Sequence, residues 1–172
     1  MHETLLVAFA TMFATVGPLD VGVVFATLTA GQSARERLGT ALRGLAIAAL
    51  ILMTFAIFGD AALDLFGISL PALRIAGGIL LLLIAIDMVF ARPSGATTTT
   101  EDEAREARSR PDISVFPLAT PLLAGPGAMG AVVLLMADTD GDWEKGAGVV
   151  VAVFAVLGVA FAAMMLAVAG LP

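Results

Sequence analysis

The chain has 172 residues, 59% of them hydrophobic and 14% charged, with a mean hydropathy of +1.00 and a formal net charge of −6. These values lie outside the range of soluble globular domains and fit one domain whose surface faces lipid. The acidic balance argues against nucleic-acid binding through a basic surface, and the absence of cysteine excludes disulfides, thiolate metal sites and thiol redox chemistry.

A membrane-crossing helix needs about 20 predominantly apolar residues. The first such segment is Thr4–Thr29, behind a Met1-His2-Glu3 start that lacks the basic stretch of a secretion signal, so it is expected to be retained. Near its centre stands GPLDVG, with Gly17-Pro18 followed by Asp20 and Gly22. Proline has no N–H and collides with the carbonyl one turn back, so a Gly-Pro pair bends or interrupts a helix. Here it leaves the carbonyl of Ala14 without a donor. Asp20, about 3 Å further along the axis, is the deepest ionisable group in any segment. A carboxyl there points to proton coupling or cation coordination. The structural alternative is an acid that snorkels into an aqueous vestibule or caps a half-helix.

The second segment, Gly39–Phe58, carries one charge, Arg43, near one end. The third, Leu70–Phe90, has Pro71 at a favourable first helical position, Arg74 one turn in and Asp87 near its far end. Arg74 is expected to neutralise Asp64 or Asp60 in the preceding connection. Asp87 lies roughly 20 Å further along the helix, too far to meet Arg74, and is expected to pair with Arg43 as a clamp between the second and third segments. Arg43, Arg74 and Asp87 thus read as structural charges. The tract TTTTEDEAREARSR that follows has the composition of a solvated linker.

The fourth segment, Ile113–Ala137, holds no charge and repeats the first motif as GPGAMG, with Gly125-Pro126, Gly127 and Gly130 downstream of Pro121. Pro126 frees the carbonyl of Leu122. Glycines at 17, 22, 125, 127 and 130 allow a ligand or another backbone to approach closely. Asp138, Asp140, Asp142 and Glu144 beside Trp143 read as a solvated interfacial turn, because the run lacks the full ligand pattern of a calcium loop. The fifth segment, Gly146–Leu171, is uncharged.

Basic residues orient these segments. The first and third connections, with the adjoining Arg43, hold seven of them, and the second and fourth hold only Lys145. The positive-inside rule then puts the N-terminus outside and the C-terminus in the cytoplasm. The two Gly-Pro segments lie three spans apart and so run in opposite directions. This predicts an inverted-topology repeat: residues 4–90, a cytoplasmic linker 91–112, and an incomplete second half 113–171. Paired breaks of this kind, with their half-helix dipoles and freed carbonyls, suit a small-solute site at the bilayer midplane. The candidates for it are Gly17, Pro18, Asp20, Gly22, Pro121, Gly125, Pro126 and Gly127. Proline kinks that serve only close helix packing are the plainer reading.

FPLATPLLAGPGAMGAVVLL (Phe116–Leu135) and LPALRIAGGILLLLIAIDMVFARPS (Leu70–Ser94) resemble the signature of the MarC family of integral membrane proteins, and FATLTAGQSARER (Phe25–Arg37) resembles it more loosely. The family is in turn similar to the LysE superfamily of small-solute exporters. The resemblance implies a six-spanning transporter, with a sixth helix after Leu171-Pro172 as counterpart of Leu70–Phe90. It also implies a second proline and small or amide residues in the first break, where this chain has Val21, Val23 and the carboxyl of Asp20.

The expected protein is therefore an all-α polytopic bundle in the cell membrane that exports or exchanges a small, unidentified solute. The alternative is a non-transporting scaffold or accessory subunit. With one terminal histidine, no cysteine and no carboxylate pair, an enzyme is not expected, nor is a cofactor, a metal or a nucleic-acid partner. The lipid bilayer is the expected partner, and self-association is left open.

Overall fold

The computed structural model describes residues 2–90 and 112–169. Within them the chain is helical, without strands: α1 (His2–Val16), α2 (Pro18–Leu28), α3 (Ala34–Leu65), α4 (Leu70–Val89), a turn-built segment Ser114–Leu123, α5 (Pro126–Ala137) and α6 (Trp143–Ala169). This is the all-α membrane architecture expected from composition. Three stretches are long and apolar enough to cross a membrane: Glu3–Leu28 through the α1–α2 junction, Ala34–Gly59 and Trp143–Ala169. The bent pair Ser114–Leu123 and Pro126–Ala137 makes a fourth if taken as one span, and the apolar part of α4 found among the described residues is the shorter Leu70–Ile79. Among those residues, three or four of the five expected spans meet the length and hydropathy of a crossing, while several α4 side chains between Leu80 and Met88 lie outside the described set. The tract 91–111 and the last three residues lie outside them.

Local chemistry sets the helix ends. α3 starts at Ala34, ahead of the expected Gly39, because Ser33 and Glu36 form a capping box. Ser33 N–H donates to Glu36 Oε2 at 2.8 Å, and Glu36 N–H donates to Ser33 Oγ at 3.4 Å. The spacing S-x-x-E signals this start in the sequence. Arg37 then donates from Nε to the Thr29 carbonyl at 2.9 Å and from Nη2 to that of Ala30 at 3.1 Å, tying the first turns of α3 to the end of α2. Asp142 opens α6 by accepting from Glu144 N–H at 2.9 Å.

In lipid, surrounding tails compete equally for apolar surface, so helices associate through close packing of small residues. The distribution follows that rule. Ala8, Ala41, Ala48, Ala128, Ala152 and Ala160 are buried, together with Met12, Phe25, Leu52 and Leu123, while Leu6, Leu50, Ile57, Ile75, Leu82 and Leu166 are exposed. α6 packs along α1 and α2, α3 packs along Ser114–Leu123 and α5, and α4 lies on α5. Glycines make the nearest approaches. A methyl added at Gly44 would come within 2.5 Å of Leu118 Cδ2, at Gly59 within 2.7 Å of Val133 Cγ2, and at Gly77 within 2.6 Å of Leu134 Cδ1.

These contacts sort the charges to two ends of the bundle. At one end Arg74 pairs with Asp138, in place of the expected Asp64. The reason is that α4 lies antiparallel on α5, with its first turn against the last turn of α5; the side chain of Asp60 lies outside the described residues. At the other end Arg43 pairs with Asp112 at 3.4 Å, a partner not among those expected. The expected pairing of Arg43 with Asp87 falls on a side chain outside the described residues. Both observed pairs are about half exposed or more, so each is worth at most about 1 kcal/mol.

Candidate functional site: two Gly-Pro interruptions

Pro18 opens α2 and Pro126 opens α5, each as the first residue of a half-helix, where its missing N–H costs no intrahelical bond. The breaks themselves differ. At the first, Gly17 takes left-handed angles, φ 59 and ψ 58, and the ladder resumes on either side. Gly17 N–H donates to the Phe13 carbonyl at 3.1 Å, and Val21 N–H to that of Gly17 at 3.0 Å. One residue leaves the helix, and α1–α2 continues as a 26-residue span.

The second break is sharper, with its two pieces bent by 54°. Gly125 is buried and extended, at φ −80 and ψ 169. Upstream of it, a regular half-helix was expected, and Ser114–Leu123 instead forms two proline turns. Phe116 (φ −129, ψ 127) and Thr120 (φ −133, ψ 122) hold the extended conformation that a following proline imposes. The Phe116-Pro117 and Thr120-Pro121 bonds are cis. Leu118 N–H reaches back to the Ile113 carbonyl at 3.2 Å, and Ala124 N–H to that of Ala119 at 2.8 Å. The signal for these turns is the spacing of Pro117 and Pro121, and only Pro121 is among the residues expected at the site.

The candidate residues differ in their surroundings. Asp20 is the third residue of α2, where a carboxylate suits the positive end of the helix dipole. It is exposed, and its Oδ2 turns back over the break, 3.3 Å from where a Gly17 Cβ would lie. Gly22 faces α6, and a methyl there would stand 2.9 Å from the Ala163 carbonyl oxygen. Of its two expected uses, the approach of another backbone is the one seen here. Its counterpart Gly130 has open space around it. Pro18 is buried, Pro121 and Gly127 are half-buried, and Pro126 is exposed. Because α2 packs against Ser114–Leu123, the two interrupted spans are neighbours. At the mouth of the second span, the Ser114 hydroxyl and N–H, the latter at 2.9 Å, hold the Asp112 carboxyl below the usual carboxylate range, and Arg43 adds to the effect.

The family described as MarC family integral membrane protein matches residues 2–169. The chain is 40% identical over 160 residues to the UPF0056 membrane protein MJ1677 of Methanocaldococcus jannaschii, covering 93% of this chain and 77% of that protein. It is 35% identical over 161 residues to the UPF0056 membrane protein YvbG of Bacillus subtilis, covering 94% and 76%. To the UPF0056 membrane protein YhcE of Escherichia coli it is 40% identical over 126 residues, covering 73% of this chain and 58% of that one. No solved structure matches the chain.

Proposed function

This chain belongs to the MarC family of integral membrane proteins, and we propose that it carries a small solute across the membrane by alternating access around its two interrupted spans. The observation that carries this reading is the matched pair of breaks, each with a glycine before the half-helix and a proline as its first residue, in spans that lie side by side. The first N–H groups of a half-helix have no intrahelical partner and suit an anionic group. Gly17, Pro18, Asp20, Pro121, Gly125, Pro126 and Gly127 are the residues we assign to the path. The packing supports an inverted repeat. The interrupted span of each half lies along the second helix of the other half, α1–α2 on α6 and Ser114–Leu123 with α5 on α3. A pseudo-two-fold axis in the membrane plane produces that exchange.

We orient the N-terminus outside, in the cell membrane, from the arginine bias of the connections. A single cysteine at Ser33 is expected to resist an impermeant thiol reagent added outside intact cells, and one at Asp140 to react. The reverse pattern would invert the protein and remove the argument for a cytoplasmic arginine end.

Transport itself is tested by reconstitution. Vesicles containing the purified protein, offered a panel of amino acids and small cations, should pass at least one solute faster than protein-free vesicles. Asp20→Asn is expected to lower that flux at least tenfold, about 1.4 kcal/mol, while the protein stays folded, because it removes the carboxylate that overhangs the first break. No flux for any member of the panel would sink the reading and leave a membrane scaffold in its place.

A further inference from the structure

A cleft of about 680 Å³ opens at the arginine-bearing end, between the first turns of α3 and Asp112. Arg35, Gly39 and Arg43 line it at intervals of four residues, so they share one face of α3. The two arginines are about 12 Å apart along the axis, a separation that their long side chains can close from both sides. Gly39 leaves the space between them empty, since a methyl built there meets nothing within 4 Å.

The acids of this cleft are already engaged. Glu36 accepts from Ser33 N–H at 2.8 Å and from Ser33 Oγ at 2.7 Å. Asp112 accepts from Ser114 N–H at 2.9 Å and faces Arg43 at 3.4 Å. The donors are not engaged to the same degree. Among the described residues Arg35 and the Thr40 hydroxyl have no hydrogen-bond partner, and Arg43 makes a single long contact. Gln32 adds a buried amide oxygen without a partner at the wall, where turning the amide over would present a further donor.

We propose that this cleft binds an oxyanion, held by Arg35 and Arg43 across the gap at Gly39 with Thr40 as a third donor. The site is distinct from the two breaks, so it stands or falls independently of solute transport. At a membrane surface a phosphate oxyanion has two sources, a free anion in the water and the headgroup of an anionic lipid.

The test uses the purified chain in a maltoside detergent without added lipid, with ionic strength held constant by chloride. The melting temperature is followed against sodium phosphate in one arm and against short-chain phosphatidylglycerol in the other. A saturable rise of about 3 °C or more is expected. A rise with phosphate shows that the free anion suffices, and a rise with the lipid alone assigns the headgroup. Gly39→Leu fills the gap and leaves every charge in place, and Arg35→Gln removes an exposed guanidinium. Each should weaken the apparent affinity at least tenfold while melting like the parent in chloride. No rise in either arm, or a rise that both variants retain in full, overturns the proposal.

Discussion

Gly22→Val is expected to destabilise the bundle by about 3 kcal/mol or more, whereas Gly130→Ala should melt within about 1 kcal/mol of the parent. The two glycines occupy matched places four residues after Pro18 and Pro126, yet their surroundings differ. At Gly22 the atoms in the way are the carbonyl oxygen and carbon of Ala163, at 2.9 and 3.0 Å from an added Cβ. A backbone cannot rotate aside as the Leu118, Val133 or Leu134 side chains can, so α2 would have to lift from α6. In lipid that loss is severe, because close packing is what holds the helices together. Gly130 has nothing within 4 Å, and alanine also favours the helix there. Thermal melts of both variants in detergent, followed by circular dichroism, read the difference directly. Equal melting temperatures would show that α2 does not ride on the α6 backbone.

Gly17→Val is expected to cost about 2 kcal/mol, and Gly17→Asn distinctly less. At φ 59 and ψ 58 the residue sits in the left-handed region, which costs an L-residue about 1–2 kcal/mol and a β-branched one more. Asparagine tolerates it. The Cβ of either variant would lie 3.3 Å from Asp20 Oδ2, a contact that the flexible carboxylate relieves by a small shift. The ordering of melting temperatures, parent above Asn above Val, is the diagnostic result. If valine matched the parent, Gly17 would not be left-handed, and the first break would be an ordinary proline kink. In the vesicle assay the same pair separates geometry from chemistry, since both variants keep Asp20.

Much of the organisation was legible because it is local. Runs of apolar residues mark where helices lie, since a backbone in lipid must satisfy its own hydrogen bonds. Gly17-Pro18 and Gly125-Pro126 mark the interruptions, since proline acts on its own turn and on the residue before it. Pro117 belonged to the same kind of signal, and its effect on Phe116 follows from that rule alone. The capping box at Ser33 and Glu36 was equally local, and it starts α3 earlier than hydropathy does. Each of these depends on residues no more than a turn or so apart.

The sequence by itself therefore determined an all-helical membrane chain with two proline interruptions and six of its eight arginines gathered in two connections. The tertiary structure decided the rest. It put Arg74 with Asp138 and Arg43 with Asp112, residues 64 and 69 positions apart. It turned Gly22 toward Ala163 and left Gly130 open, and it bent the second interruption more than the first. The physical reason lies in the solvent. A helix in water shows its buried face as an apolar stripe against a polar one. In lipid both faces are apolar, and a helix face is chosen by the fit of small residues against a partner distant in the chain. That fit is a property of two surfaces meeting, so neither segment carries it alone.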